Sequence, residues 1–354
     1  MAWRIDRRQA LAGIGGTLLG TPGLLSQQAS AKDFDGQTLS TQFWSGPEGQ
    51  TIQRGGIDPF IEKTGAKVTV TEGVTTLSLS KMRAEKARPT TSVYLLDEVG
   101  VITAQREGLL EKLNYDKMPN AKDINTKFKV QDVGVGFFTY ITTLVYNKEI
   151  LKEAPKSWKD LWDPKYKGKI AIPPAGHGSS YQLAMMAARL NGGDQFNMDP
   201  AWPALEKLKP NVAYMETNTA VLAELLKNGD VHVVMRLPYY FKEYMEKGYP
   251  IAVANVLSEG IFAFTGCACI VKGHPDKREV ADAFINELLG VEAQNRMANL
   301  LWFGPTNDKV QIPTGISTNL LHTKAQWDSI IPIDLDNLAN KREEWIQKYT
   351  RALA

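Results

Sequence analysis

Residues 176–180, Gly-His-Gly-Ser-Ser, carry the densest chemistry in the sequence. Glycines let backbone N–H groups approach a bound group closely, and the two hydroxyls add donors. The Ala- and Met-rich run that follows marks the start of a helix, where the dipole is positive. Gly178, Ser179 and Ser180, with His177, therefore suit a carboxylate or phosphate oxygen. A second use is open to the same residues, with Ser179 as the helix N-cap. Arg236 closes an apolar run, 231–235, and its planar fork of N–H groups fits a carboxylate. The alternative for Arg236 is an ion pair with a neighbouring acid. Trp44 offers a face for stacking or for a cation, or else packs within its own layer. Tyr239 and Tyr240 bring phenolic oxygens, hard donors apt for Fe(III), or else share an amphipathic helix with Tyr244.

Enzymatic chemistry is poorly supported. The sequence has no G-x-S-x-G elbow, no H-E-x-x-H and no paired Cys-x-x-Cys. His177 beside Ser179 and Ser180 is too common a juxtaposition to mark a nucleophile. A binding protein without cofactor or resident metal is expected, and an exported hydrolase is the alternative from a different class. Cys267 and Cys269 are two apart in a strand-like run, with Cα atoms ~6.6 Å apart on one face. That is near the upper limit for a disulfide. Two small residues filling a tight interior face is the preferred reading, with a redox pair or metal ligands as the other.

The elements that must position these groups alternate short β-rich runs with helical patterns, as in an α/β protein. Strands are expected at 39–44, 67–71, 92–96, 169–172, 231–235 and 251–255, and helices at 57–63, 77–86, 158–162, 180–190, 219–226 and 337–353. Ligands of open α/β layers lie beyond strand C-termini. This singles out four loops: 44–48 with Trp44, Asp97-Glu98, 176–180, and 236–240 with Arg236, Tyr239 and Tyr240. Two longer β-branched runs, 137–147 and 261–271, are long enough to cross between domains. They divide the chain into lobe one (32–139 and 262–310) and lobe two (140–261 and 311–354). Phe262 and Phe264 are placed nearer core than cleft, and Leu338, Trp345 and Tyr349 form the docking stripe of the last helix.

Residues 1–31 read as an export signal. Arg7-Arg8 precede a weakly hydrophobic, Gly-rich run, the twin-arginine pattern, and Ala29-Ser30-Ala31 offers a cleavage site before Lys32. A general secretory signal is the alternative, and no lipobox cysteine lies near the cut, so a free periplasmic protein is expected. The roughly 320 residues beyond it favour two domains. With 41 Lys+Arg against 39 Asp+Glu and no long basic run, nucleic acid is a poor partner.

Several local segments, in order, resemble the extracellular solute-binding proteins of ABC importers, the spermidine/putrescine-, ferric-iron- and thiamine-binding type. They are Pro-Phe-Ile-Glu-Lys-Thr-Gly at 59–65, Tyr-Asn-Lys at 146–148, Ser-Trp-Lys-Asp-Leu-Trp-Asp-Pro at 157–164, Ser-Glu-Gly at 258–260 and Gly-Pro-Thr-Asn at 304–307. The resemblance implies a type II periplasmic binding protein fold, two α/β lobes joined by two crossing strands. It also implies a solute in the cleft, hinge closure, permease subunits as partners, and a monomer. It aligns Trp44 with a cleft aromatic, and Tyr239-Tyr240 with the adjacent tyrosines of ferric-iron binders. Polyamine binders of the family carry an acidic stretch where this chain has Gly-His-Gly-Ser-Ser. The expected solute is a small anionic or zwitterionic compound, an amino acid or carboxylate. The alternatives are ferric iron on Tyr239 and Tyr240, a polyamine, or thiamine.

Overall fold

The computed structural model describes residues 33–354 apart from Asn255, so the expected export signal lies outside the described residues. Ten strands form one sheet: β1 Thr38–Phe43, β2 Lys67–Glu72, β3 Val93–Asp97, β4 Lys129–Val130, β5 Gly134–Asn147, β6 Ile170–Ile172, β7 Val212–Met215, β8 Val233–Arg236, β9 Ile251–Ala254 and β10 Phe262–Ile270. The order is β2-β1-β3-β10-β5-β8-β6-β7, with β4 and β9 on β5. At one end β1, β2 and β3 run parallel, and at the other β6 runs parallel to β7 and β8. Helices cover both ends, as parallel strands require. On β3, Val93 and Leu95 face one apolar cluster while Tyr94 and Leu96 face another.

The 14-residue strand β5 joins the two ends. Its first part, to Thr142, pairs antiparallel with β10; Thr143 to Tyr146 pairs with β8, and Leu144 to Asn147 with β9. The crossing run expected at 137–147 thus starts three residues earlier than its sequence pattern suggests. In β10 the register shifts between Gly266 and Cys267. A Cβ on Gly266 would sit 2.1 Å from the Phe138 ring, so only glycine fits this bulge.

Two large cores flank the crossing. One gathers Leu39, Phe43, Phe60, Phe138, Phe284 and Met297, and Leu321 and Trp327 join it. The other gathers Leu144, Trp158, Leu183, Met186, Leu205 and Phe262. The terminal helix Leu335–Leu353 lays Trp345 and Tyr349 on this second core, and Tyr349 Oη donates to Pro173 O at 2.8 Å. Burying each aromatic contributes about 2–3 kcal/mol. Asn218 caps helix Thr219–Asn228 by accepting from Ala220 and Val221 N–H, and Gly229 ends it at φ 76°.

Cys267 and Cys269 are free and fully buried on one face of β10 beside Leu79 and Met82, and burial pushes both thiols up. The helices Arg278–Leu288 and Val291–Leu301 and the strand β7 have no counterpart in the sequence reading. Among the described residues no helix is long and apolar enough to cross a membrane.

Candidate functional site

Strands β6 and β8 are parallel neighbours, so the loops that leave their C-terminal ends meet. This brings Arg236, the last residue of β8, to the start of helix Gly178–Leu190. His177, not Ser179, is the N-cap: its Nδ1 lies 3.2 Å from the Ser179 N–H, and Ser180 Oγ donates to His177 O at 2.7 Å. The Arg236 Nη1 lies 2.9 Å from His177 Nε2, and Nη2 donates to Thr217 O at 3.0 Å. The guanidinium carbon lies 4.6 Å from the centre of the Tyr240 ring.

Arg236 is only 6% exposed, and its Nε is buried with no hydrogen-bond partner. Among the described residues no acidic oxygen lies within 4.0 Å of it, so the ion pair considered from sequence is absent. Burial lowers its pKa from the ordinary value. Burial, and then the Arg236 charge, push His177 down to about 4, leaving a neutral imidazole at pH 7. The arrangement is a cluster of donors at a positive helix end, with Glu48 and Glu216 acting on Arg236 only from beyond ion-pair distance.

The opposite wall is built from the loop after β1. Glu48, in the short helix Gly46–Ile52, accepts at Oε1 from Tyr239 Oη (2.7 Å) and Tyr240 Oη (3.2 Å). The rings of Tyr239 and Tyr240 lie 4.4 Å apart, Tyr140 meets Tyr239 edge-on at 6.0 Å, and Trp44 meets Phe138 edge-on at 6.0 Å. With Ser45 and Val74 these groups line a cavity of about 250 Å³. Burial pushes Tyr239 and Tyr240 up, which keeps them protonated donors. Tyr240 touches both sides, its hydroxyl on Glu48 and its ring under Arg236.

Asp97 and Glu98 do not join this group. Asp97 caps helix Glu98–Arg106, accepting from Gly100 N–H and Thr75 Oγ1, both at 2.8 Å. Both acids line a separate cavity of about 170 Å³ with Lys127, Phe264, Thr265 and the segment 330–333. Burial pushes both carboxyls up. Phe264, placed near the core from sequence, lines this cavity and stacks on Tyr140 at 5.2 Å. Among the described residues there is no group of three or more His, Cys, Asp or Glu side chains able to hold a metal. The contacts of Glu48, Tyr140 and Thr217 had no local signal, because their partners are distant in the chain.

The family model described as bacterial extracellular solute-binding protein matches residues 56–322. The chain is 26% identical over 257 residues to the putative 2-aminoethylphosphonate-binding periplasmic protein of Salmonella typhimurium, covering 72% of this chain and 73% of that one. It is 24% identical over 342 residues to the spermidine/putrescine-binding periplasmic protein of Escherichia coli, covering 93% and 92%. The crystal structure of an ABC transporter from Clostridium perfringens matches with a TM-score of 0.75 at 25% identity, over 89% of this chain and 100% of that one. Two α/β ends crossed by β5 are the type II periplasmic binding protein fold. The chain belongs to the bacterial extracellular solute-binding proteins, as the non-catalytic periplasmic receptor of an ABC importer.

Proposed function

We propose that the solute is a small zwitterion, a primary amine joined by a short chain to a carboxylate or phosphonate. The observation that carries this reading is the buried Arg236 guanidinium without an acidic partner. An unpaired buried charge costs several kcal/mol, and an oxyanion at the helix start would offset that cost. Across Tyr240, which touches both Arg236 and Glu48, a cavity holds Glu48 among Trp44, Tyr140 and Tyr239, a carboxylate with aromatic faces that suits an ammonium. 2-Aminoethylphosphonate, in the name of one relative, has both groups; spermidine and putrescine, in the name of another, have only amines. A purely cationic solute would place like charge near Arg236.

The lobes are proposed to divide within β5 and β10, near 139/140 and 261/262, with the helix Leu335–Leu353 moving with the second. The contact of Glu48 with Tyr239 and Tyr240 then holds the lobes closed, and permease subunits receive that form. A thermal-shift and calorimetry panel of 2-aminoethylphosphonate, γ-aminobutyrate, putrescine, spermidine, thiamine and ferric citrate tests the reading. Zwitterions should bind and Arg236→Met should abolish the response. Binding of polyamines alone, or a coloured iron complex lost in Tyr239→Phe, would overturn it.

A further inference from the structure

Two contacts to one imidazole compete for a single acceptor. His177 Nδ1 faces the backbone N–H of Ser179, and Nε2 faces Arg236 Nη1; both neighbours are donors. A neutral imidazole has one acceptor nitrogen. The guanidinium is the shorter contact, 2.9 Å against 3.2 Å, and as a charged donor the stronger one. While no solute is bound, Nε2 therefore accepts from Arg236; the ring proton then sits on Nδ1, and the cap bond from the Ser179 N–H is not made in that form. Arg236 Nε, buried without a partner, is a second donor in want of an acceptor. A site with surplus buried donors is completed by a group that only accepts.

Resting on the oxyanion reading above, we propose that His177 changes tautomer when the solute binds. The solute's oxyanion takes over the Arg236 fork. The imidazole releases its Nδ1 proton to water and takes one from water at Nε2, so its net protonation is unchanged. Nε2–H then donates to the oxyanion, and the freed Nδ1 accepts from the Ser179 N–H, completing the cap of helix Gly178–Leu190.

The consequence is a selection rule. Carboxylates and phosphonates present acceptors to both Arg236 and His177. A carboxamide presents an NH₂ that faces a donor on one side, and sites built on buried hydrogen bonds reject such mismatches strongly. His177 thus determines specificity for acid over amide.

The test uses the full chain labelled with [15N]histidine, in which 4 histidines report. The 15N shifts of protonated and bare ring nitrogens separate the tautomers, and the His177 signal is assigned by its loss in His177→Asn, a variant that keeps a good N-cap. The solute-free protein should show the Nδ1–H form. Arg236→Met, also solute-free, should show Nε2–H, because the competing donor is gone. The wild type saturated with 2-aminoethylphosphonate or γ-aminobutyrate should show Nε2–H as well, and 4-aminobutanamide should bind at least about a hundredfold more weakly than γ-aminobutyrate. An Nε2–H form in the solute-free wild type, or no change in Arg236→Met, would overturn the proposal. Failure of every oxyanion to bind would sink the oxyanion reading instead, while the two solute-free spectra still decide the tautomer.

Discussion

Arg236→Met should change stability little and binding greatly. In this structure the guanidinium is 6% exposed, has no acidic oxygen within ion-pair distance and leaves Nε unpaired. Desolvating such a charge costs several kcal/mol. Three contacts offset that cost: the bonds to Thr217 O and His177 Nε2, about 1.5–3 kcal/mol each for a charged donor, and the Tyr240 face, about 1–2 kcal/mol. Methionine has similar length, adapts to irregular space and carries no charge. These contacts about balance the desolvation, so the variant should melt within roughly 2–3 °C of wild type, about 1 kcal/mol either way. Binding should fall by about 2–5 kcal/mol as a desolvated charge pair is lost, which is roughly 30-fold to several thousand-fold in Kd. Thermal melts of the empty proteins and calorimetry with 2-aminoethylphosphonate read the two effects separately. A variant that melts lower than wild type yet binds equally well would show that Arg236 is structural.

Other residues give further checks. Glu48→Gln keeps an acceptor for Tyr239 but removes the charge, so calorimetry should show at least a tenfold loss for zwitterions, the difference between a charged and a neutral hydrogen bond. Asp276 accepts from Thr38 Oγ1 (2.7 Å), Ser40 N–H (2.6 Å) and Ser92 Oγ (2.7 Å), tying β1 to the start of β3. Burial pushes this carboxyl up, but these hydrogen bonds outweigh it and hold it below the ordinary value. Its contribution is therefore complete above the unfolded pKa of about 3.9 and is lost as pH falls through the lower folded value. Asp276→Asn should melt below wild type by about 2 kcal/mol at pH 7, with the gap closing below about pH 4. Gly266→Ala forces a Cβ against Phe138, which is itself stacked on Phe303 at 3.8 Å, and should cost about 2–3 kcal/mol in chemical denaturation.

Features set by near neighbours were readable from the residues. Asn218 and Gly229 bracket their helix because cap and left-handed stop are properties of one or two side chains. The long β-branched run within β5 is legible because few strands hold so many buried positions in a row. The start of helix Gly178–Leu190 was legible too, but not which residue caps it, since His177 takes that place through a ring nitrogen. The cap role of Asp97 has a local signal, an Asp placed just before a helical pattern. The pairing of Glu48 with Tyr239 and Tyr240 spans more than 190 positions, and local pattern carries no trace of it. Arg236 and His177 meet only because β6 and β8 are neighbours, a fact of sheet order. Helix Arg278–Leu288 carries a local signal too, with Val280, Phe284 and Leu288 on one buried face.

The central claim is that one cleft holds an amine and an oxyanion together. Calorimetry of the purified chain with 2-aminoethylphosphonate, ethylphosphonate and ethylamine tests it most directly. The account predicts saturable one-to-one binding of the zwitterion and a loss of at least about a hundredfold for each compound that lacks one of the two charges. Equal affinity for ethylphosphonate, or tighter binding of putrescine than of any zwitterion, would contradict it.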